Sequence, residues 1–456
     1  MATWNVINLS KLENFKDFSS EYYRADNIQK SNVIRKIGTV RAGNAGFITD
    51  GEHGSPCWSE TSGIKYITAE FIKENYIEQG DFKQITREQD SKNARARLQV
   101  GDVLVYSVGA YAGLAAVAEP HLFPANIPRS VAIIRLKNEN LNAEYVSAFI
   151  NSKYGKFQTF RLRAGNSQPV LALDKIRQIE IPIIEETFQK EIQFYYQESY
   201  KLRLLSQTLY RQAEELLAKE LQLDKLQLPK NKWYTAQYSE VVDSRRLDSN
   251  HFRDAYSRLF EFLNNKFQCK SVKQFVSVNR RGLQPNYVEN GDIMVINSKH
   301  LSKNHINYDQ TEKTTKKEFD KQQAAQIQKD DVLIYTTGAY IGLTNAFNSN
   351  ELAMASNHVN ILRLSDPRID PNYLALVFNS IIGQLQTQKH SRGSAQLELY
   401  PTDIDKFIIP ILDEDMMRTI GEKVRNSLES LKQSKLLLAR AKSRVEELIE
   451  QDASGH

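Results

Sequence analysis

From Thr187 to Leu221 the chain holds no proline or glycine. Phe188, Ile192, Tyr195, Ser199, Leu202, Ser206, Leu209, Ala213 and Leu216 recur there at alternating steps of four and three. That rhythm predicts one long helix with a heptad seam. It returns near the carboxyl end through Ile420, Val424, Ser427, Leu431, Ser434, Leu438, Ala441, Val445 and Leu448. Each helix would be about 50 Å long at roughly 1.5 Å per residue. Such a stripe needs a partner. The strict spacing and the recurrence favour pairing of the two helices over each lying on its own neighbouring domain. Seam serines would let the two backbones approach closely. Elsewhere, short β-rich runs such as SVKQFVSV (271–278), GDIMVINS (291–298) and VNILRL (359–364) are separated by Gly, Pro and Asn, which predicts strands and turns. A helix is predicted over NAEYVSAFINSKYGKFQTF (142–160), with a counterpart at 371–388. Asn142 and Asp370 stand at the N-cap positions, and Pro371 sits in the first turn. The fold class is therefore mixed α/β.

The patterns recur because the chain is a tandem duplication. DVLVYSVGAYAGL (102–114) and DVLIYTTGAYIGL (331–343) share nine of thirteen residues. A shift of 229 also matches Trp4 with Trp233, Pro56 with Pro285, and residues 64–77 with 293–306. One residue is then lost, and a shift of 228 matches 144–159 with 372–387, AGNSQ (164–168) with RGSAQ (392–396), and the two IPI triplets at 181–183 and 409–411. Two copies exclude a solenoid, which needs at least three stacked units.

Totals add little. A length of 456 residues carries a soft prior of about three domains. Sixty Lys and Arg against 55 Asp and Glu give a net charge of +5, which fits nucleic acid without requiring it. The longest uncharged apolar stretch, Val103 to Ala118, falls short of the roughly 20 residues that span a bilayer. The amino-terminal MATWNVINLSKLENF is polar throughout and lacks a signal-peptide pattern. No membrane association is expected, and the localisation expected is cytoplasmic.

Catalytic signatures are missing from the sequence. There is no GxxxxGK[ST], and GAYAG and GAYIG lack dinucleotide-fingerprint spacing, so these glycines read as a tight strand-to-turn corner. No Asn/Asp-Pro-Pro-Tyr/Phe run of the amino-methyltransferases occurs; DPNY (370–373) is explained as a helix start. Cys57 and Cys269 do not match in the repeat, and CxxC and HExxH are absent, which leaves neither a disulfide nor a zinc site supported. His53 and His358 face Gly282 and Ser130 in the other copy, so neither recurs as a catalytic group. The expectation is a chain that is not an enzyme, with no catalytic residue, no metal site and no cofactor of its own.

Two tandem α/β units, each followed by a long heptad helix, resemble the specificity (S) subunit of bacterial type I restriction–modification systems. The resemblance is carried by ITDGEHGSP (48–56), the GDVL…GAYAGL corner, the GNSQ and GSAQ loops, and the IPI strand entering each long helix. Tyr22 and Tyr23 in SSEYY, with RLDSNHF (246–252), add to it. The resemblance implies a first target-recognition domain over 1–186, a spacer helix over 187–222, a second target-recognition domain over 223–415 and a second spacer helix over 416–450. The helices would form an antiparallel coiled coil within a pseudo-two-fold repeat. Its seam would run through Ile192, Tyr195, Leu202, Leu209 and Leu216 and through Val424, Leu431, Leu438 and Val445. The resemblance further implies that each domain reads one half of a bipartite, asymmetric site in double-stranded DNA. Methyltransferase (M) subunits, two of them, would dock on the coiled coil, with restriction (R) subunits beyond. S-adenosylmethionine, ATP and Mg would belong to those partners.

Candidate DNA contacts follow from charge and side-chain type. Lys92, Arg95 and Arg97 in the first copy, and Lys316, Lys317 and Lys321 in the second, suit phosphates, although such runs also occur as solvated faces. Arg161, Arg163, Asn166 and Gln168, and His390, Arg392 and Gln396, mix basic and amide groups able to address guanine and adenine. Arg280 and Arg281 precede Gly282 and match the His53 loop. Tyr111 and Tyr340 read as core or turn packing. Two rival readings are a self-contained nuclease of the Asp…Glu-x-Lys kind and a duplicated protein-binding scaffold. An S-like subunit of another DNA-targeting defence system stays within the same class.

Overall fold

The structure is a computed structural model and describes residues 25–165, 167–229, 233–393 and 396–454. Trp4, Tyr22, Tyr23 and Asn166 lie outside the described residues. The chain forms two compact units, not the three that length alone suggests. One comprises residues up to Leu202 with those from Gln433, and the other runs from Arg203 to Lys432.

Each unit is built on a four-stranded antiparallel sheet. In the first, the strands are β1 (Gly46–Asp50), β2 (Val103–Tyr106), β3 (Ala115–Val117) and β4 (Val131–Leu136), in the order β1-β4-β2-β3. In the second they are β5 (Val276–Arg281), β6 (Val332–Tyr335), β7 (Thr344–Ala346) and β8 (Val359–Leu364), in the order β5-β8-β6-β7. Register is kept: Leu104 faces Ile133 as Leu333 faces Ile361. The central strands read as near-continuous Val, Ile and Leu because both faces are covered, and VLV and VLI are wholly buried. A smaller mixed sheet accompanies each. Residues 65–66 run parallel to 125–126, and 293–296 parallel to 353–355. The IPI segments pair with strands at 39–41 and 269–271 before the long helices begin.

Six helices matter here: α1 (Ala143–Asn151), α2 (Lys153–Leu162), α3 (Glu186–Glu220), α4 (Pro371–Asn379), α5 (Ile381–His390) and α6 (Glu414–Ser454). The single helix expected over 142–160 is instead two. Ser152 adopts an extended backbone, its hydroxyl accepts from the Gly155 amide, and a side chain at Gly155 would meet the Phe149 carbonyl. Ser380 breaks the second copy in the same way. Asn142 and Asp370 cap as expected, accepting from the Tyr145 amide at 2.7 Å and the Asn372 amide at 2.8 Å.

Two buried polar devices recur at matching positions. Asp102 is held by Arg135 at 2.8 and 2.7 Å and accepts from the Gln99 amide; Asp331 is held by Arg363 at the same distances and accepts from the Gln328 amide. Asn151 clamps edge strand β3, accepting from Ala115 N at 3.1 Å and donating to Ala115 O at 2.7 Å. Asn379 does the same to Thr344 at 2.9 and 2.7 Å.

The long helices pack antiparallel. In the first unit Ser199 meets Ser434 at 2.8 Å and Arg444 meets Glu191 at 3.2 Å. In the second Ser206 meets Ser427 at 3.1 Å and Lys423 meets Gln212 at 3.1 Å. Ser199 and Ser427 are repeat mates, as are Ser206 and Ser434, so the two serine contacts are copies of one contact. The seam on α3 differs in phase from the expectation. Ile192, Ser199, Ser206 and Ala213 are buried, but Tyr195, Leu202, Leu209 and Leu216 only flank the seam. Tyr196, Arg203, Tyr210 and Leu217 fill it instead. On α6, Val424, Leu438 and Val445 are buried as expected, while Ser430 takes the place of Leu431. Arg203 and the two tyrosines are buried there at 5–7% exposure, and the tyrosine hydroxyls are satisfied by Asn75 Oδ1 and Lys303 O, so a seam that hydropathy assigns to leucine takes polar tips with partners. In both units these seam residues continue the domain's own core. Ile192 and Tyr196 join Tyr145 and Phe149, and Tyr210 and Leu217 join Tyr373 and Phe378.

Two stability outcomes follow. Leu217→Ala should cost about 2–5 kcal/mol in denaturant unfolding and Leu216→Ala less than half of that. Equal losses would restore the original seam. Arg135→Ala, or Arg363→Ala, strands a buried carboxylate and should cost on the order of 3 kcal/mol. A loss below about 0.5 kcal/mol, the usual scatter for surface changes, would mean that the pair is structurally idle.

Candidate nucleic-acid interface

At the end of β2 the backbone turns through Ser107–Gly113 and returns as β3; at the end of β6 it turns through Thr336–Gly342 and returns as β7. The turn needs glycine: Gly113 has φ +106° and a Cβ there would lie 2.5 Å from Thr159 Oγ1, with Gly342 and Thr387 repeating the arrangement at φ +93° and 2.8 Å. Tyr111 and Tyr340 project from these corners, 61% and 70% exposed. Of the core or turn packing that the sequence suggested, the turn is where they sit, and neither belongs to the core.

Each corner is bonded to the amide-bearing loop that follows the second short helix. Gly109 N donates to Pro169 O at 2.9 Å and Leu171 N to Ser107 O at 2.8 Å. Gly338 N donates to Leu397 O at 3.0 Å and Leu399 N to Thr336 O at 2.9 Å. Two further segments join the first corner, through Ser107 N to Ser130 O and Arg129 N to Glu52 O, both 2.9 Å. Tyr111, Arg163, Gln168, Arg129 and His53 thus belong to one contiguous end of the first unit. Tyr340, Arg392, Gln396, Tyr400 and Arg281 form the matching end of the second.

Most candidate cations are held by acids. Asp50, at the end of β1, receives His53 Nε2 at 2.9 Å and Arg95 at 3.3 Å. Arg97 pairs with Asp90 at 2.7 Å, Lys92 with Glu88 at 2.8 Å and Lys316 with Asp320 at 2.7 Å. Arg392 grips Asp403 through Nε and one terminal nitrogen at 3.1 and 3.0 Å, which leaves its other terminal nitrogen facing outward. Arg281 donates to Leu399 O at 3.0 Å and lies 4.8 Å from the Tyr400 ring, on whose ring Arg392 also bears at 5.9 Å. Arg163 stacks on Phe160 at 4.2 Å. Gln168, Gln396, Lys317 and Lys321 are exposed. Lys92, Lys316, Lys317 and Lys321 sit on short helices beside the small sheets and are not bonded to the corners.

Three candidates are turned inward. Arg161 bonds Ser31 Oγ at 2.9 Å, and Arg280 is half-buried along β5. His390 is buried beside Phe407 with ring centroids 5.6 Å apart, so it cannot reach a base edge. The sequence missed Arg129, which is exposed, and Tyr400. Its available signal for the tyrosines was identity of the corner in both copies. Among the described residues no group of three or more His, Cys, Asp or Glu side chains could hold a metal, and no helix is long and apolar enough to cross a membrane.

Burial first, and then the neighbouring Lys389 charge, push the His390 imidazole down to about 3. The folded chain therefore resists a proton that the unfolded chain accepts near pH 6.5, and stability falls as pH drops below that value. His390→Phe should flatten the decline of melting temperature between pH 6.5 and 4. An unchanged slope would assign the acid sensitivity elsewhere.

Comparison with known proteins supplies a match to one domain. Residues 264–416 match the type I restriction modification DNA specificity domain. No curated protein matches the chain. Among solved structures, the chain is similar to the type I restriction–modification S subunit from M. genitalium at 12% identity, covering 91% of this chain and 95% of that one with a TM-score of 0.46. It is similar to the HsdS subunit from Thermoanaerobacter tengcongensis at 14% identity, 91% and 95% coverage and a TM-score of 0.27. A chain from a structure concerned with complex assembly and conformational transition of the type I R-M system matches at 13%, 91% and 96% coverage and a TM-score of 0.29. Residues 264–416 lie in the second of the two copies, so the match to the type I restriction modification DNA specificity domain covers about a third of the chain.

Proposed function

We propose that this chain is the DNA-reading specificity subunit of a type I restriction–modification complex, each unit reading one half of a bipartite, asymmetric site in double-stranded DNA. The observation that carries the reading is the domain match over 264–416, joined to the duplication that gives the first unit the same strand order and register. The two corner-centred ends would face DNA. Arg163, Gln168, Arg392 and Gln396 stand there as candidate contacts, with Arg95, Arg97, Lys317 and Lys321 as phosphate contacts from the flanking elements. Half-site spacing in such a duplicated reader is a geometric quantity. α3 and α6 each contribute residues to both units, which suits them to set it.

In this reading the chain is not itself an enzyme. Methyltransferase subunits, two of them, would bind the outward faces of the long helices and supply S-adenosylmethionine chemistry; restriction subunits would supply ATP- and Mg-dependent steps. The complex would work in the cytoplasm.

Selection from random duplexes with the full chain should return two short fixed elements separated by an unread spacer. Inserting four residues near both Ser206 and Ser434 adds about 6 Å of helix. The same two elements should then return with a spacer longer by one or two base pairs, at roughly 3.4 Å each. Failure of the wild-type chain to select any sequence would refute the reading. An unchanged spacer would refute the role of the helices as the ruler.

A further inference from the structure

The internal duplication separates two kinds of exposed residue. Two units that read different bases must differ where they read. Where the same side chain is exposed at the same place in both, its target must be common to both half-sites. Among the large apolar or aromatic side chains that are exposed in the described residues, Tyr111 and Tyr340 are the matched pair of identical type. The loops bonded to their corners also share an exposed glutamine, Gln168 and Gln396.

The corner backbone points the same way. Within the first corner, the Gly109, Ala112, Gly113 and Leu114 amides donate to protein carbonyls, whereas those of Ala110 and Tyr111 donate to no acceptor among the described residues. In the second, Gly338, Gly342 and Leu343 donate, whereas Ala339, Tyr340 and Ile341 find no acceptor among the described residues. Ala110, Tyr111, Ala339 and Tyr340 are all exposed. Two exposed amides without a protein acceptor and the phenol hydroxyl of the same residue pair, on a turn fixed by positive-φ glycines, are uncharged donors carried by one corner. Successive amides in such turns suit anionic oxygens. In the first unit the Tyr106 ring meets Tyr111 edge-on at 6.2 Å and steadies it.

We propose that Tyr111 and Tyr340, with the amides of their own corners, hold the sugar–phosphate backbone at an equivalent position of each half-site. They fix register and carry no sequence information, and Gln168 and Gln396 share that role instead of discriminating adenine. The proposal rests on the DNA-reading function argued above. The phenol hydroxyl donates to a phosphate oxygen, and the bases are read by side chains that differ between the copies.

The test uses the full chain, random-duplex selection, and titration of the selected duplex and an unrelated one at several salt concentrations. Tyr111→Ala and Tyr340→Ala should each weaken both duplexes by the same factor, about tenfold to a hundredfold for one lost hydrogen bond to a charged group. The selected consensus should not change. The slope of affinity against salt should not change either, because no cation has been removed. Tyr→Phe at either position should keep most of that loss. Gln168→Ala and Gln396→Ala should also leave the consensus intact. Several results would overturn the proposal: a consensus altered in one half, full rescue by phenylalanine, or affinities equal to wild type. Unaltered DNA binding with lost association of methyltransferase subunits would make the corner a protein-docking surface. A wild-type chain that binds no duplex would instead remove the DNA-reading function, and the proposal with it.

Discussion

Asn151 and Asn379 each satisfy both backbone groups of one residue on the outermost strand of a sheet, and the placement of the exposed corners depends on that. A three-residue edge strand has little hold of its own, since half of its ladder faces away from the sheet. The carboxamide supplies a substitute neighbour, with one acceptor and one donor aimed at Ala115 or Thr344. The tie continues outward. Asn151 also donates to Asn75 Oδ1 at 2.6 Å, which accepts from the Tyr196 hydroxyl on α3 at 2.6 Å. Asn379 donates to Lys303 O at 2.9 Å, which accepts from the Tyr210 hydroxyl at 3.1 Å. In each unit a seam tyrosine, a loop, the last residue of a helix and an edge strand are thus one hydrogen-bonded path. At one end of it stands the long helix and at the other the corner.

The charged groups have a consistent logic. Arg135 and Arg363 are directed at buried carboxylates, and their guanidinium groups are held more firmly protonated by those partners. Arg95, Arg97 and Arg392 are also paired with acids, yet half or so of each side chain remains in solvent. A guanidinium has five donors, and an acid that takes two of them fixes its plane without using it up. Such an arginine meets an incoming anion already oriented, which lowers the ordering cost of the contact. An exposed lysine such as Lys317 has no such support and acts as a point charge.

The sequence was most legible where the signal repeated. The duplication made the shared corner, the caps at Asn142 and Asp370, and the two long helices readable, because each feature was encountered twice. It was least legible where hydropathy stood in for geometry. Choosing Leu202, Leu209 and Leu216 over Arg203, Tyr210 and Leu217 put one row of the α3 seam one residue out, because hydropathy ranks leucine above the arginine and tyrosine that are buried there. The break at Ser152 was hidden inside an apolar periodicity that continues across it. His390 was assigned to the surface by its polarity, and Tyr111 and Tyr340 to core or turn packing by their rings. In each case the backbone, through a helix end in one and a positive-φ corner in the other, decided the direction that composition had guessed.

The small sheets differ in one respect. Three segments are common to both units: 84–85, 65–66 and 125–126 in one, and 312–314, 293–296 and 353–355 in the other. The fourth strand is added on opposite edges, as 58–59 beside 84–85 in the first unit and as 326–327 beside 353–355 in the second. A sheet whose margin can be extended on either side, while its centre keeps its pairing, can absorb insertions and deletions in its flanking loops without disturbing the core. Lineages carrying this architecture can therefore change what the surface presents by small changes in loop length as well as by substitution, and the two halves of one gene can drift apart in this way while sharing a scaffold.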